Sequence, residues 1–366
     1  MQRVLALPRE AGTSGSVAAR AAVAEYLAAL GYQVDLQRFS FHPSALHGFP
    51  VYGAGLGGLG LLLLPLLMAG GAPPWAAALL LVGGVASLAA LAVGIGLGWL
   101  PLGGEPREDA NLVATRGRGP VERWIVAHLD TKAQVQSMAG RLVAVWVIGV
   151  AVAALLALAL VRLGGPVPPG AAGSGAALAV LAGALAGRGR LRGASPGARD
   201  NGTGVAAALA AASAAVSAAA ATTGILITGA EEFGMVGARV FARARAPLLH
   251  GAAVLNFDTI DQEGELSVVC HDARGAALAR AEAPRLAAAG LPPRIRRLPL
   301  GIFTDSLPFA RAGVPAVTIG RLTWRTLRTI HTPRDTPDGL SFDVAERVGR
   351  AVVGIQLPPG PGGSAA

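Results

Sequence analysis

The sequence predicts an α/β protein in which helices sandwich a mostly parallel mixed sheet, with about four inserted transmembrane helices. Strand-like and helix-like segments alternate from residue 205 onward, a pattern typical of a parallel sheet covered on both faces. Two pairs of long, almost uncharged apolar segments interrupt the first half of the chain. A mean hydropathy of +0.52 with only 14% charged residues is too apolar for a purely soluble protein of 366 residues, so membrane spans are expected.

The N-terminal region predicts one helix followed by one strand. Apolar residues between 14 and 30 recur at helical spacing, and Gly31 follows where glycine commonly ends a helix. Residues 32–39 then alternate between apolar and polar types, which is typical of a half-buried strand. The first ten residues include Arg3 and Arg9 and no long apolar core, so we expect no signal peptide.

The apolar segments form two pairs, and each pair predicts a transmembrane hairpin. The first pair covers residues 51–70 and 75–100, and the second covers 142–163 and the shorter, Ala/Gly-rich 172–187. The first three segments are near or above the ~20 residues that a helix needs to cross a bilayer. The alternative is four buried helices of a soluble core. A fifth apolar run, at 205–222, is interrupted by two serines and predicts a soluble helix instead.

Basic residues are distributed unequally about the hairpins. The far-side turns are uncharged, with only Arg162 close by, whereas the other flanks carry Arg38, Arg107, Lys132, Arg141, Arg188, Arg190 and Arg192. By the positive-inside rule, we expect a multi-pass protein of the cell (inner or plasma) membrane with its polar domain in the cytoplasm.

The remaining polar sequence predicts further strands and helices. Strands are expected at 122–130, 224–228, 252–258 and 314–319, and helices at 205–222, 236–244, 276–289 and 342–355. Short polar motifs follow several of these strands, and taken singly each has an ordinary structural explanation, such as an Asx turn or acids at a helix N-terminus. Active sites collect at the carboxyl ends of parallel strands, so we expect these side chains to converge: His128, Asp130, Asp200, Glu231, Glu232, Asp258 and His331.

Such imidazoles and carboxylates are sufficient to hold two zinc ions and to leave one carboxylate free as a base. In their order along the chain, the motifs resemble the M28 family of zinc aminopeptidases, which are co-catalytic dizinc exopeptidases. The resemblance is carried by VAHLDTK, GARDNGTGVAAALA, TGAEEFGMVGARVF, NFDTID, TDSLPFARAGVPAVTIG and IHTPRDTPD.

The resemblance implies a role for each site residue. His128 and Asp258 would bind one zinc ion, Glu232 and His331 the other, and Asp200 would bridge both. Glu231 would be the general base, Asp130 would stand behind His128, and Asp305 would contact the substrate or the ligands. Two departures from the family are the 71 residues between His128 and Asp200 and the presence of Ser306 where many members have histidine.

The sequence thus predicts a membrane-anchored aminopeptidase with two Zn²⁺ per chain, acting on peptides with a free N-terminus. Residues 1–43, 105–136 and 191–357 would form its discontinuous catalytic domain, 44–104 and 137–190 the hairpins in the lipid bilayer, and 358–366 a disordered tail. The alternatives are a glutaminyl cyclase-like acyltransferase with one zinc ion and a non-catalytic membrane protein with the same fold.

Two other classes of function are disfavoured by composition. The formal charge of +9 comes without basic runs interleaved with aromatic residues, which are only 5% of the chain, so no nucleic-acid partner is expected. Cys270 is the only cysteine, which excludes an intramolecular disulfide and a thiolate metal site.

Overall fold

The computed structural model describes residues 2–96, 100, 102, 105–117, 119–217, 222–297 and 302–353. The tail predicted at 358–366 and the last residues of the helix predicted at 342–355 lie outside these ranges. The chain divides into two compact units. The first comprises Met1–Phe41, Arg107–Ala133 and Ala194–Ala366, and the second comprises His42–Pro106 and Gln134–Gly193.

The first unit is built on an eight-stranded mixed sheet, which confirms the predicted α/β class. The strands are β1 (Gln33–Phe41), β2 (Arg107–Thr115), β3 (Arg123–His128), β4 (Thr223–Thr228), β5 (Ala253–Ile260), β6 (Glu265–Cys270), β7 (Arg294–Arg296) and β8 (Ala316–Leu322). Their order across the sheet is β1-β2-β4-β3-β5-β8-β6-β7. The central strands β4, β3, β5 and β8 run parallel, whereas β2 pairs antiparallel with β1 and β4, and β6 pairs antiparallel with β8.

The sequence prediction misses three of these strands, namely β2, β6 and β7. In β2 the alternation is concealed because two polar residues, Asp109 and Asn111, are buried. Arg20 forms an ion pair with Asp109, and the Asn111 side chain donates a hydrogen bond to the Gly237 carbonyl (2.8 Å). Buried polar groups need such partners, and these partners are far away in the sequence. β7 is only three residues long and all three are exposed to solvent, so it is too short to show a hydrophobic pattern.

Helices cover both faces of the sheet. Those of the first unit are α1 (Gln2–Leu5), α2 (Ser14–Ala29), α8 (Gly204–Ser217), α9 (Val236–Ala244), α10 (Ala273–Ala288), α11 (Ser306–Arg311), α12 (Trp324–Thr329) and α13 (Asp343–Ala351); α3 to α7 belong to the second unit. Side chains of β3 alternate between two separate hydrophobic clusters: Ile125 belongs to the cluster that contains residues of α2, α8, α10 and α13, and Trp124 to the one that contains residues of α9 and α11. This alternation is the expected geometry of a strand buried on both faces.

The alanine-rich helix α8 is buried in the first unit, as expected for the soluble helix predicted at 205–222, of which residues 218–221 lie outside the described ranges. Its small side chains allow a close approach to α13, where a Cβ added to Gly349 would overlap the carbonyl oxygen of Ala207. The run of alanines therefore serves close packing against the sheet and a neighbouring helix.

The second unit consists of α3 (Ser44–His47), α4 (Phe49–Met68), α5 (Ala76–Gly96), α6 (Met138–Arg162) and α7 (Pro169–Gly187). Among the described residues, four helices are long and apolar enough to cross a membrane: Phe49–Met68, Ala76–Ile95, Met138–Arg162 and Pro169–Gly187.

Small residues and one arginine hold these helices together. A Cβ at Gly53 would overlap the Gly183 carbonyl oxygen, and the reverse also holds, so α4 and α7 pack at backbone distance, as small-residue motifs permit. The buried Arg162 side chain donates hydrogen bonds to the carbonyls of Leu66 (3.0 Å), Ala69 (2.6 Å) and Ala72 (2.7 Å). It thereby satisfies carbonyl groups at the end of α4, which lack helical partners, and one in the turn that follows.

Candidate metal centre

The carboxyl ends of the central parallel strands bring the predicted site residues together. His128 is the last residue of β3 and lies in register with Thr228, the last residue of β4. Glu231 and Glu232 follow β4, and Asp258 belongs to β5, which pairs with β3 on its other side. Neighbouring strands are ~4.8 Å apart, so side chains from these three strand ends reach a common centre.

An irregular turn, Ala198–Thr203, adds Asp200 to this centre, and the Asn201 side chain fixes the turn against β5. The Asn201 carboxamide donates to the Phe257 carbonyl (2.9 Å) and accepts hydrogen bonds from the amides of Gly204 (3.0 Å) and Thr259 (3.1 Å). Both ends of the amide group are used. The Asp200 carboxylate is thereby placed beside Asp258.

Two overlapping groups of side chains have the composition and spacing of metal sites. The first contains His128, Asp200 and Asp258, and the second contains Asp200, Glu232 and His331. His128 Nε2 lies 3.3 Å from Asp200 Oδ1 and 3.8 Å from Asp258 Oδ1. His331 Nε2 lies 3.0 Å from Asp200 Oδ2 and 3.5 Å from Glu232 Oε1. Asp200 thus directs one oxygen to each group.

The donor set fits zinc. Zinc takes imidazole nitrogen and carboxylate oxygen ligands, and both groups offer this mixture in a buried setting. Glu232 Oε1 is buried without a hydrogen-bond partner among the described residues, which is costly for a carboxylate unless a cation compensates it. His331 has a φ of +63°, and strained backbone of this kind often occurs at functional sites.

Asp130 holds the two glutamates. Its carboxylate accepts hydrogen bonds from the backbone amides of Glu231 (3.0 Å) and Glu232 (3.1 Å). Its own backbone carbonyl lies 3.1 Å from His128 Nδ1, whereas its carboxylate Oδ1 is 3.7 Å from that nitrogen. Asp130 is therefore next to His128, as expected, but its carboxylate chiefly positions the glutamate pair.

Glu231 lies outside both ligand groups. Its carboxylate accepts no hydrogen bond from the residues that the structure describes, and the side chain is 8% exposed. Burial raises the pKa of Glu231 well above its usual value, and the nearby charge of Glu232 contributes in the same direction. A carboxylate with these properties is available to take up and return a proton.

The centre has opposite pKa shifts on His128 and on the shared Asp200. Burial alone would lower the pKa of His128, but the surrounding carboxylates, Glu231 first, raise it well above its usual value. Burial would raise the pKa of Asp200, but hydrogen bonds to His128 and His331 lower it well below its usual range. The centre is thus arranged to hold positive charge among ionised carboxylates.

Asp305 is buried near the centre but is absent from both ligand groups. It precedes α11, and its carboxylate accepts a hydrogen bond from the Thr228 hydroxyl at the end of β4. Burial raises the pKa of Asp305 to about 7.

Three further side chains support the centre and are missed by the sequence analysis. Lys132, the only lysine of the chain, is buried and forms an ion pair with Glu232 Oε2. The fully buried Asp335 accepts hydrogen bonds from the amides of Arg199 (2.9 Å) and Asp200 (3.0 Å). Arg9 is also fully buried. The uniqueness of Lys132 and its place beside the His-Leu-Asp motif were usable signals, whereas nothing local marks Arg9.

The chain matches Peptidase family M28 over residues 111–355. Its fold is similar to that of a zinc aminopeptidase from Bacillus subtilis, with a TM-score of 0.54 and 14% identity over 96% of this chain and 92% of the other. An aminopeptidase from Aneurinibacillus sp. strain AM-1 gives a TM-score of 0.54 and 16% identity, with coverages of 96% and 90%. The glutaminyl cyclase of Porphyromonas gingivalis gives a TM-score of 0.55 and 15% identity, with coverages of 96% and 93%. At these identities the similarity shows a common fold. A comparison with curated protein sequences finds no significant match.

Proposed function

Because the chain belongs to peptidase family M28, we propose that it is a membrane-anchored, zinc-dependent aminopeptidase that removes N-terminal residues from peptides. Family membership supports a hydrolase that acts on peptide bonds. The observation that carries the finer proposal is the pair of ligand groups sharing Asp200, with Glu231 beside them and outside both.

The proposed ligands divide as the two groups do. His128 and Asp258 would hold one zinc ion, Glu232 and His331 the other, and Asp200 both. Bound zinc would supply Lewis acidity to the scissile carbonyl and would make the attacking water more acidic. The Asp200 and Asp335 contacts described above fix the shared ligand before any metal binds, which reduces the ordering that binding requires.

Glu231 is the proposed general base. Its carboxylate is free of protein hydrogen bonds within the described chain, and its backbone amide is anchored to Asp130 (3.0 Å). It would accept a proton from the attacking water and deliver that proton to the leaving amine, which completes hydrolysis without a net change in the protein. Asp130 would be a positioning residue for this step because it also holds the amide of the neighbouring ligand Glu232.

The proposed ligand set supports action at a free N-terminus. Of the two zinc ions that these residues would hold, one would take the nitrogen of a free substrate α-amine at an open position, whereas an acetylated nitrogen is a poor zinc ligand.

Metal content and peptidase activity of the detergent-purified chain test the proposal. We expect about two zinc ions per chain and cleavage of leucyl and alanyl p-nitroanilides but not of their N-acetyl forms. Glu231→Gln should keep the metal and lose turnover by about two or more orders of magnitude, whereas the exposed Glu25→Gln should match wild type. Equal cleavage of the acetylated substrates, or near-normal activity of the Glu231 variant, would contradict the proposal.

A second candidate is glutaminyl cyclase-like acyl transfer with a single zinc ion. The observation that favours it is the ion pair between Lys132 and Glu232, since an ammonium group beside one ligand reduces the electrostatic need for a second cation. About one zinc ion per chain, together with pyroglutamate formation from an N-terminal glutaminyl peptide, would support this candidate over the aminopeptidase.

The second unit supports the membrane anchoring. Its helices leave large apolar side chains uncovered: Leu62 is 62%, Leu79 63% and Trp146 76% exposed. Apolar surfaces of this kind are typical of interaction with lipid or another protein. With the arginine bias of the flanks, we infer four spans and a cytoplasmic catalytic unit. Release of the chain by alkaline carbonate would refute anchoring, and an externally active C-terminal reporter would refute the orientation.

A further inference from the structure

A basic pocket lies in the first unit and takes no part in the zinc chemistry proposed above. It has a volume of about 440 Å³, and its lining includes Arg199, Trp324, Arg325, Arg328, Arg334 and Asp338. Four guanidinium groups and one carboxylate give this lining a surplus of positive charge. The volume is in the range of small-molecule and short-peptide sites.

The walls of the basic pocket continue directly into the loops that carry the candidate metal ligands. Arg199 immediately precedes Asp200, and Arg334 immediately precedes Asp335, the residue that accepts the Arg199 and Asp200 amides. Arg328 lies three residues before His331. Consecutive Cα atoms are ~3.8 Å apart, so a peptide held at the metal centre needs only a few residues to reach the pocket.

The arginines of the pocket differ in how far they are already engaged. The Arg199 guanidinium donates to Asp261 (3.2 Å) and lies 3.6 Å from Asp335, so the protein has fixed it in place. The guanidinium groups of Arg325 and Arg328 make no hydrogen bond or ion pair with any residue that the structure describes. These two lie three apart on α12 and therefore share a helix face.

We propose that the basic pocket binds a carboxylate of the peptide substrate, on the C-terminal side of the scissile bond, through Arg325 and Arg328. This inference rests on the proposed peptidase function. Guanidinium groups present planar, paired N–H donors that match a carboxylate, and the half-exposed Trp324 adds an apolar wall that reduces screening by water. The carboxylate could be the C-terminus of a short peptide or an acidic side chain of a longer one.

Peptides with matched termini test the pocket and distinguish these two sources. We would compare Ala-Ala-Ala with its C-terminal amide, and Ala-Ala-Glu amide with Ala-Ala-Gln amide, using the zinc-loaded full chain in detergent. If the pocket receives a C-terminal carboxylate, we expect KM to be about tenfold lower for Ala-Ala-Ala than for its amide, a difference equivalent to ~1.4 kcal/mol. If it receives an acidic side chain, we expect the same difference between Ala-Ala-Glu amide and Ala-Ala-Gln amide. The preference should weaken as salt increases.

Matched variants assign this preference to the pocket. Arg325→Gln together with Arg328→Gln should reduce the KM ratio to about one, whereas Arg280→Gln with Arg297→Gln, which removes two exposed arginines elsewhere in the same unit, should leave it unchanged. Equal KM values in wild type for both peptide pairs, an unchanged ratio in the pocket variant, or an equal loss in the control variant would each overturn the proposal.

A binding measurement keeps the failure of the pocket distinct from failure of the peptidase. Calorimetric titration of the same four peptides into zinc-loaded Glu231→Gln protein measures the carboxylate preference without turnover. If wild type cleaves none of the peptides and this preference persists, the proposed peptidase function is wrong but the pocket does bind a peptide carboxylate. If the preference is absent, the proposal that the pocket binds a peptide carboxylate is wrong. Loss of the preference in phosphatidylglycerol nanodiscs but not in phosphatidylcholine nanodiscs would overturn the peptide assignment in favour of a lipid headgroup.

Discussion

Replacing Arg9 with lysine should destabilise the catalytic unit although the substitution conserves charge. The Arg9 guanidinium is fully buried and donates to five backbone carbonyls and no carboxylate, those of Leu5, Leu7, Leu129, Pro196 and Gly197. Leu129 lies between His128 and Asp130, and Gly197 lies three residues before Asp200. Arg9 therefore ties the N-terminal segment to two of the segments that carry candidate metal ligands, those of His128 and Asp200.

The expected magnitude follows from the donors that lysine lacks. Burial lowers the pKa of Arg9 to about 10, so the guanidinium is charged at neutral pH. A lysine ammonium has three N–H donors, which leaves at least two of the five carbonyls without their partner. At roughly 1.5 kcal/mol for each hydrogen bond to a charged group, the loss is about 3 kcal/mol. For a unit of this size, that loss lowers Tm by about 6–12 °C.

Thermal unfolding of the detergent-purified chain measures this effect, with near-UV circular dichroism reporting on the buried Trp124 of the sheet. Arg3→Lys is the matched control because Arg3 is an exposed arginine of the short helix α1, in the same N-terminal segment as Arg9. We also expect zinc affinity to fall, since the segments that carry the candidate ligands His128 and Asp200 lose hydrogen bonds from Arg9. A Tm within 1–2 °C of wild type corresponds to a loss of about 0.5 kcal/mol or less in the free energy of unfolding. That result would refute a stabilising role for the Arg9 hydrogen bonds.

Three further perturbations test the supports of the site and of the core. Asp130→Asn should weaken zinc binding about 10- to 100-fold, measured by competition with a chelator, because a carboxamide cannot accept hydrogen bonds from both glutamate amides through separate oxygens; an unchanged affinity would argue against its positioning role. Gly349→Ala should cost about 1–3 kcal/mol in urea unfolding because the added methyl overlaps Ala207, whereas Gly119→Ala has open space and should be neutral. Burial raises the pKa of the Tyr32 hydroxyl to about 12, above its unfolded value near 10. The contribution of the protonated Tyr32 hydroxyl to the free energy of unfolding should therefore be complete below pH 10. It should fall by about 2 kcal/mol between pH 10 and 12. Tyr32→Phe should flatten this pH dependence and Tyr26→Phe should not.

The central strands explain why the sequence could indicate part of the candidate site. His128 ends β3, Glu232 follows β4, and Asp258 lies near the end of β5, and the parallel arrangement of those strands follows from their alternation with helices. The structure brings these residues together with Asp200 and His331. Asp200 and His331 follow no strand, and they were singled out by the order of the motifs along the chain.

The supporting contacts of Arg9 and Asp335 could not be predicted because they join distant residues through the backbone. Arg9 meets Gly197 across 188 residues and Asp335 meets Asp200 across 135. In both cases the arginine or carboxylate contacts main-chain carbonyl or amide groups, which every residue type supplies. Such contacts place no constraint on the identity of the partner, so no pair of residue types in the sequence indicates them.

The points at which the second unit leaves and rejoins the first explain how one sheet accommodates two long insertions. Phe41, the last residue of β1, pairs directly with Arg107, the first of β2, so the segment between them replaces what would otherwise be a hairpin loop. At the other insertion, the Thr131 hydroxyl donates a hydrogen bond to the Ser195 carbonyl (3.1 Å). This bond joins the two ends of the inserted segment within the first unit. Since the entropic cost of closing a loop grows only slowly with its length, insertions whose ends already meet add little strain. The α/β unit and the apolar helices could therefore be combined in one chain without altering the strands that carry the candidate metal ligands.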